Sequence, residues 1–117
     1  MSDVKFNFDC VAYYVSDMER SIRFYRDVLG FRFVSQDDVA RFDIDGVLFE
    51  LVPAPDDRAL RGGGNARLCL RVTDVEQALK ALQAKGARTG QAQRKATGVL
   101  GCVWDPDGNE ICLWQYF

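Results

Sequence analysis

Residues 11–31 read VAYYVSDMERSIRFYRDVLGF, and the punctuation of this stretch sets the architecture of the whole chain. Phe8 to Val15 is a short run rich in Val and aromatic residues, a strand by composition. Ser16 follows, with Glu19 three positions on, the pattern of a capping box. Met18, Ile22, Tyr25 and Leu29 recur at helical spacing, and Gly30 stands where a glycine ends a helix. Three further strands are expected at 31–36, 40–44 and 47–52, with Asp45-Gly46 as a hairpin turn between the last two.

Working outward, the same programme recurs in LCLRVTDVEQALKALQAKG at 68–86. Arg67 to Val72 reads as a strand, Thr73 and Glu76 as a second capping box, and Val75, Ala78, Leu79 and Leu82 as an apolar stripe closed by Gly86. Weaker strands are expected near 90–95, 98–104 and 109–115, with Asp105-Pro106-Asp107-Gly108 turning the chain before the last. Val15 and Val72 lie 57 positions apart, Gly30 and Gly86 56, and Gly46 and Gly108 62. Three matches in order argue for an internal duplication of a βαβββ unit. Module 1 spans about 6–53 and module 2 about 66–117, joined by a linker at about 54–65 whose glycines at 62–64 are a candidate hinge.

Composition narrows the function classes. A chain of 117 residues is the size of one domain. Its 48% hydrophobic and 27% charged residues are ordinary for a soluble globular protein. Net charge is −2 and the basic residues are scattered, so nucleic acid is not an expected partner. No run approaches the roughly 18 apolar residues of a membrane span, and MSDVKFNFD lacks signal-peptide architecture. A cytoplasmic setting is expected, where Cys10, Cys69, Cys102 and Cys112 stay reduced; none sits in a C-x-x-C pair, so no zinc ribbon is indicated.

VAYYVSDMERSIRFYRDVLGF (11–31), FELVP (49–53), LCLRVTDVEQALKALQAKG (68–86) and WDPDGNEICLW (104–114) resemble the vicinal oxygen chelate superfamily. That group includes glyoxalase I, extradiol dioxygenases and bleomycin-resistance proteins. The resemblance covers nearly the whole chain and implies a single α+β domain over 1–117, its two tandem βαβββ modules forming a curved mixed sheet around a cleft. It also implies a homodimer, often with each cleft built from two chains. Fold likeness of this kind speaks to architecture and not to reaction.

In metal-using members of the family, each module supplies a ligand from its first strand, usually His, and one from its last, usually Glu. Laid on this chain, the pattern falls on Cys10, Glu50, Arg67 and Cys112, of which only Glu50 keeps the donor type. The chain contains no His. A guanidinium stays protonated and repels a cation, so no family-type metal centre is expected. Two thiolates and a carboxylate, Cys10, Cys112 and Glu50, remain an alternative zinc set.

Strand alternation names the wall of the cleft. Cys10, Ala12 and Tyr14 face it from the first strand, and Leu48, Glu50 and Val52 from the fourth. Arg67, Cys69 and Arg71 face it from the fifth, with Glu110, Cys112 and Trp114 from the last. Glu50 and Arg67 are expected either to pair across the old metal position or to leave Arg67 free for an anionic ligand group. Cys10, Cys69 and Cys112 read as clustered thiols or as small buried hydrophobes. Tyr14 and Trp114 are candidate binding aromatics, whereas Trp104 reads as core.

Three functions compete. The first is binding of a small apolar or aromatic molecule without a metal or other cofactor, as in the drug-sequestering branch. The second is an enzyme, a lyase, isomerase or dioxygenase with an altered metal site or none, using Glu50 as base and Arg67 as clamp. The third is a partner-binding domain whose cleft is filled by its own side chains.

Overall fold

A computed structural model describes Lys5 and residues 7–60 and 67–117. The glycines at 62–64, and so the expected hinge, lie outside the described residues.

Module 1 runs β1 (Val11–Val15), α1 (Met18–Arg23), a π-helical turn (Phe24–Val28), β2 (Arg32–Gln36), β3 (Ala40–Ile44) and β4 (Val47–Pro53). These strands form one sheet in the order β1-β4-β3-β2, with β1 parallel to β4 and the others antiparallel. Asp45 and Gly46 both take positive φ, 52° and 85°, which only a mirror-image hairpin turn requires. That two-residue turn sets Ile44 against Val47 and therefore Arg41 against Glu50.

The helix starts one residue later than the sequence pattern implies. Asp17, not Ser16, caps α1, accepting from Arg20 N–H at 3.1 Å. Asp74, not Thr73, does the same for α2 (Val75–Ala84) through Gln77 N–H at 3.0 Å. A carboxylate is the stronger acceptor at a helix N-terminus, and Ser16 is engaged elsewhere by Asp107. The last turn before Gly30 widens, with Leu29 N–H donating to Phe24 O, so the helix is not α throughout.

After a 3₁₀ turn (Asp57–Leu60), module 2 runs β5 (Leu68–Arg71), α2, the short β6 (Arg88–Thr89) and β7 (Gln93–Arg94), β8 (Gly98–Trp104) and β9 (Glu110–Tyr116). Here β9 lies between parallel β5 and antiparallel β8, with β6 and β7 on the far side of β8. The strand expected near 90–95 is thus two short pieces flanking Gly90, Gln91 and Ala92.

Each helix covers one face of its own sheet. In module 1 Tyr25, Phe42, Phe49 and Leu51 are fully buried, and Tyr25 packs on Phe49 with ring centroids 5.0 Å apart. Burial of side chains this size contributes about 1.5–3 kcal/mol each. In module 2 Val75 and Leu79 of α2 press on Gly101; a Cβ there would lie 2.7 Å from Val75 Cγ1. The bare backbone lets helix and sheet approach.

The two modules are sewn together by the 105–109 turn. Asp105 is buried and accepts from Tyr25 O–H at 2.8 Å, Asn109 N–H at 2.8 Å and Asn109 Nδ2 at 2.8 Å. Asn109 Nδ2 also donates to Tyr14 O at 3.0 Å, and Ser16 N–H donates to Asp107 at 3.0 Å. Tyr13 O–H donates to Glu110 O at 2.9 Å and accepts from Leu68 N–H. The opposite face of each sheet is left without a helix.

Candidate functional site

Alternation along the strands places chemistry-bearing side chains on these helix-free faces. In the first sheet one cross-strand row runs Ala12, Glu50, Arg41, Ser35, and in the second a row runs Cys69, Cys112, Cys102. The row beyond it holds Arg71, Trp114 and Leu100, and Gly98 then stands opposite Tyr116.

Each face contains one carboxylate held between a guanidinium and a thiol. Glu50 Oε1 accepts from Cys10 Sγ at 3.1 Å, while Arg41 Nε lies 3.3 Å from Oε2. Glu110 Oε1 accepts from Cys102 Sγ at 3.0 Å, while Arg67 Nη1 lies 3.1 Å from Oε2. The pair expected between Glu50 and Arg67 is therefore replaced by two pairs, one on each sheet. The reason is register: the Asp45-Gly46 turn fixes Arg41 directly beside Glu50, and Arg67 enters β5 next to the start of β9.

These contacts set the protonation of the thiols. The Glu50 hydrogen bond, with some burial, raises the Cys10 thiol from 9.0 to about 11. Burial and then the Glu110 hydrogen bond raise Cys102 to about 12. Burial also raises the fully buried Cys112. In the opposite sense, the Cys102 hydrogen bond and the Arg67 guanidinium hold the Glu110 carboxyl below its usual value.

The four positions that correspond to the family's metal ligands are not brought together as a donor set. Cys10 and Glu50 bond to each other on the first sheet; Arg67 and Cys112 lie on the second, with Arg67 a permanent cation. The residues do not fit the family's His and Glu centre. Among the described residues one other trio could hold an ion: Cys102, Glu110 and Cys112, whose ligand atoms lie within 4.8 Å of one another. The expected thiol cluster of Cys10, Cys69 and Cys112 is changed accordingly, with Cys102 in the place of Cys10.

A cavity of about 510 Å³ opens on the second sheet, lined among others by Arg67, Cys69, Arg71, Cys112, Trp114 and Tyr116. Leu70, Lys95 and Leu100 complete its wall. Tyr14 is 46% exposed on the first sheet, with half-buried Leu48 on the same face. A second cavity, also about 510 Å³, lies at the seam between Phe31, Ile44, Leu70 and Leu82, where the helix ends of the two modules leave a gap.

The alternation reading took β1, β4, β5 and β9 as the cleft wall and passed over β3 and β8. It thereby missed Arg41, Leu100 and Cys102, and it read Trp104 as core. Trp104 lies directly across from Glu110 on the helix-free side, with the Arg88 guanidinium 4.8 Å over its ring. Both omissions were recoverable, since each hairpin turn fixes which residue of the preceding strand faces β4 or β9.

Two tandem helix-covered modules, each with a parallel β1/β4-type pair and an open opposite face, define a class: the small paired-module α+β proteins whose sheets line a cleft. The chain belongs to the Glyoxalase/Bleomycin resistance protein/Dioxygenase superfamily, whose model matches residues 7–113. Among solved structures it is similar to TnmS3, an antibiotic binding protein from Streptomyces sp. CB03234. The two share 25% identity and a TM-score of 0.79 over 99% of this chain and 100% of that one. A glyoxalase/bleomycin resistance protein from the same Streptomyces is 26% identical over 93% of this chain and 100% of that one, with a TM-score of 0.72. The lactoylglutathione lyase of Agrobacterium tumefaciens shares the fold at 18% identity, with a TM-score of 0.76 over 97% of this chain and 96% of that one. No curated protein matches the chain in sequence. No described helix is long and apolar enough to cross a membrane.

Proposed function

We propose that this protein binds a small aromatic or apolar molecule in its cleft, without the family metal centre and without chemistry on the ligand. One observation carries the reading: where relatives use metal donors, the second sheet offers a cavity of about 510 Å³ walled by Trp114, Tyr116 and Leu100 and bordered by Arg67. That volume falls within the range of ordinary small-molecule sites. Likeness to an antibiotic binding protein over the full length of both chains supports the same class of function. The working form is a homodimer in a cytoplasmic setting. Its two open faces per chain, with Tyr14 exposed on one and Tyr116 on the other, favour cover by a second copy.

The trio Cys102, Glu110 and Cys112 favours a second reading, a lyase or dioxygenase with a thiolate-bound ion such as zinc. Elemental analysis followed by thermal-shift screening against aromatic metabolites and antibiotics separates the two. The binding reading expects less than about a tenth of an equivalent of metal and stabilisation by aromatic compounds, a rise of several degrees at ligand concentrations about 100 times Kd. One equivalent of tightly held metal lost in the Cys112→Ala variant would replace it with the enzyme.

A further inference from the structure

The cavity on the second sheet carries positive charge that its own side chains leave unbalanced. Of its three cations, Arg67 is paired with Glu110, whereas Arg71 and Lys95 have no ion-pair partner among the described residues. No carboxylate stands among the described residues of its lining.

Beside these cations lies an aromatic platform held by the backbone. Trp114 sits between Arg71 and Leu100 in register, and its ring lies over Gly98, where a Cβ would meet Trp114 Cζ2 at 2.6 Å and Gln115 O at 2.1 Å. The glycine is what lets the indole lie against β8. Tyr116 meets it edge-on at 5.8 Å between centroids. The Lys95–Gly98 turn, closed by Lys95 N–H to Gly98 O at 2.8 Å, holds Lys95 at the rim of the same cavity.

We propose that the ligand class of this face is an aromatic anion, a planar ring system carrying a carboxylate or phenolate. The ring packs on Trp114 and Tyr116 while Arg71 and Lys95 take the negative group. The inference rests on the binding reading above and narrows it. A neutral aromatic leaves two cations beside an apolar contact with nothing to balance them, and a cationic ligand is repelled by both. Arg71 also offers the planar fork that matches a carboxylate.

The test uses three probes of one shape, 2-naphthoate, neutral 2-naphthamide and 2-naphthylmethylammonium. Their binding to the intact protein is followed by indole fluorescence and by calorimetry. The expected result is 2-naphthoate at least tenfold tighter than the amide, with the cation weakest and the preference shrinking as salt is raised. In the Arg71→Gln/Lys95→Gln double variant the acid–amide preference falls below about threefold. In Trp114→Leu both acid and amide weaken at least tenfold, with the far-ultraviolet spectrum confirming the fold. Equal binding of acid and amide, or a preference for the cation, overturns the anion assignment and leaves the binding function standing. Unchanged affinity in Trp114→Leu moves the ligand to another face and overturns the site. No binding of any probe, together with no hit in the compound screen, overturns both.

Discussion

Thiols beside carboxylates are poor nucleophiles, and here two of the four cysteines stand in that position. At pH 8 the thiolate fraction of Cys10, raised to about 11, is roughly 100-fold below that of a thiol at its ordinary 9.0. For Cys102, at about 12, the deficit is roughly 1,000-fold. Alkylation of the folded protein, followed by peptide mass analysis, is expected to mark exposed Cys69 first, with Cys10 and Cys102 far behind. Labelling of the slow pair speeds up about tenfold per pH unit until the thiol titrates, and unfolding erases the difference. Equal labelling of all four at pH 8 would contradict the hydrogen bonds to Glu50 and Glu110. The identities of the facing residues were legible from alternation alone. Their pairing was not: which acid meets which cation depends on lateral strand order and turn register, and these emerge only when the sheet is assembled. Glu50 was therefore expected to meet Arg67, a residue of the other sheet, instead of Arg41 on its own.

Elements were the most readable level, because their signals are local. The helix stripes, Gly30 and Gly86 at the helix ends and the Asp45-Gly46 turn each rest on a few adjacent residues. Where local chemistry offered two solutions, tertiary contacts decided, as with Ser16 and Asp17. The role of Asp105-Pro106-Asp107-Gly108 was under-read as a plain turn, since nothing local announces that Tyr25 reaches it across 80 positions. The Tyr25→Phe variant keeps the ring and removes one donor from a buried carboxylate. It is expected to lower the unfolding free energy by about 1–3 kcal/mol, measured by urea denaturation. Gly101→Ala, which drives a methyl group into Val75 and Leu79, is expected to cost about 1–3 kcal/mol through overpacking.

At the scale of the molecule, two sheets each shield one face with a helix and leave the other to the surroundings. Alternation within strands predicts which face is bare but not what, if anything, packs against it. Sedimentation equilibrium is expected to give twice the 13.2 kDa chain mass, and replacing exposed Tyr116 by Glu to shift the population toward single chains. A single-chain mass at all concentrations would remove the homodimer from the proposal.

The seam at Asp105 has a further consequence for the continuity of the backbone. Tyr13, Ser16 and Tyr25 grip the second module through their side-chain hydroxyls, and none of those grips uses the connection at 54–65. A protease that severs that connection once would leave two fragments still clasped and still melting as one body. They would part only when denaturant releases the tyrosines.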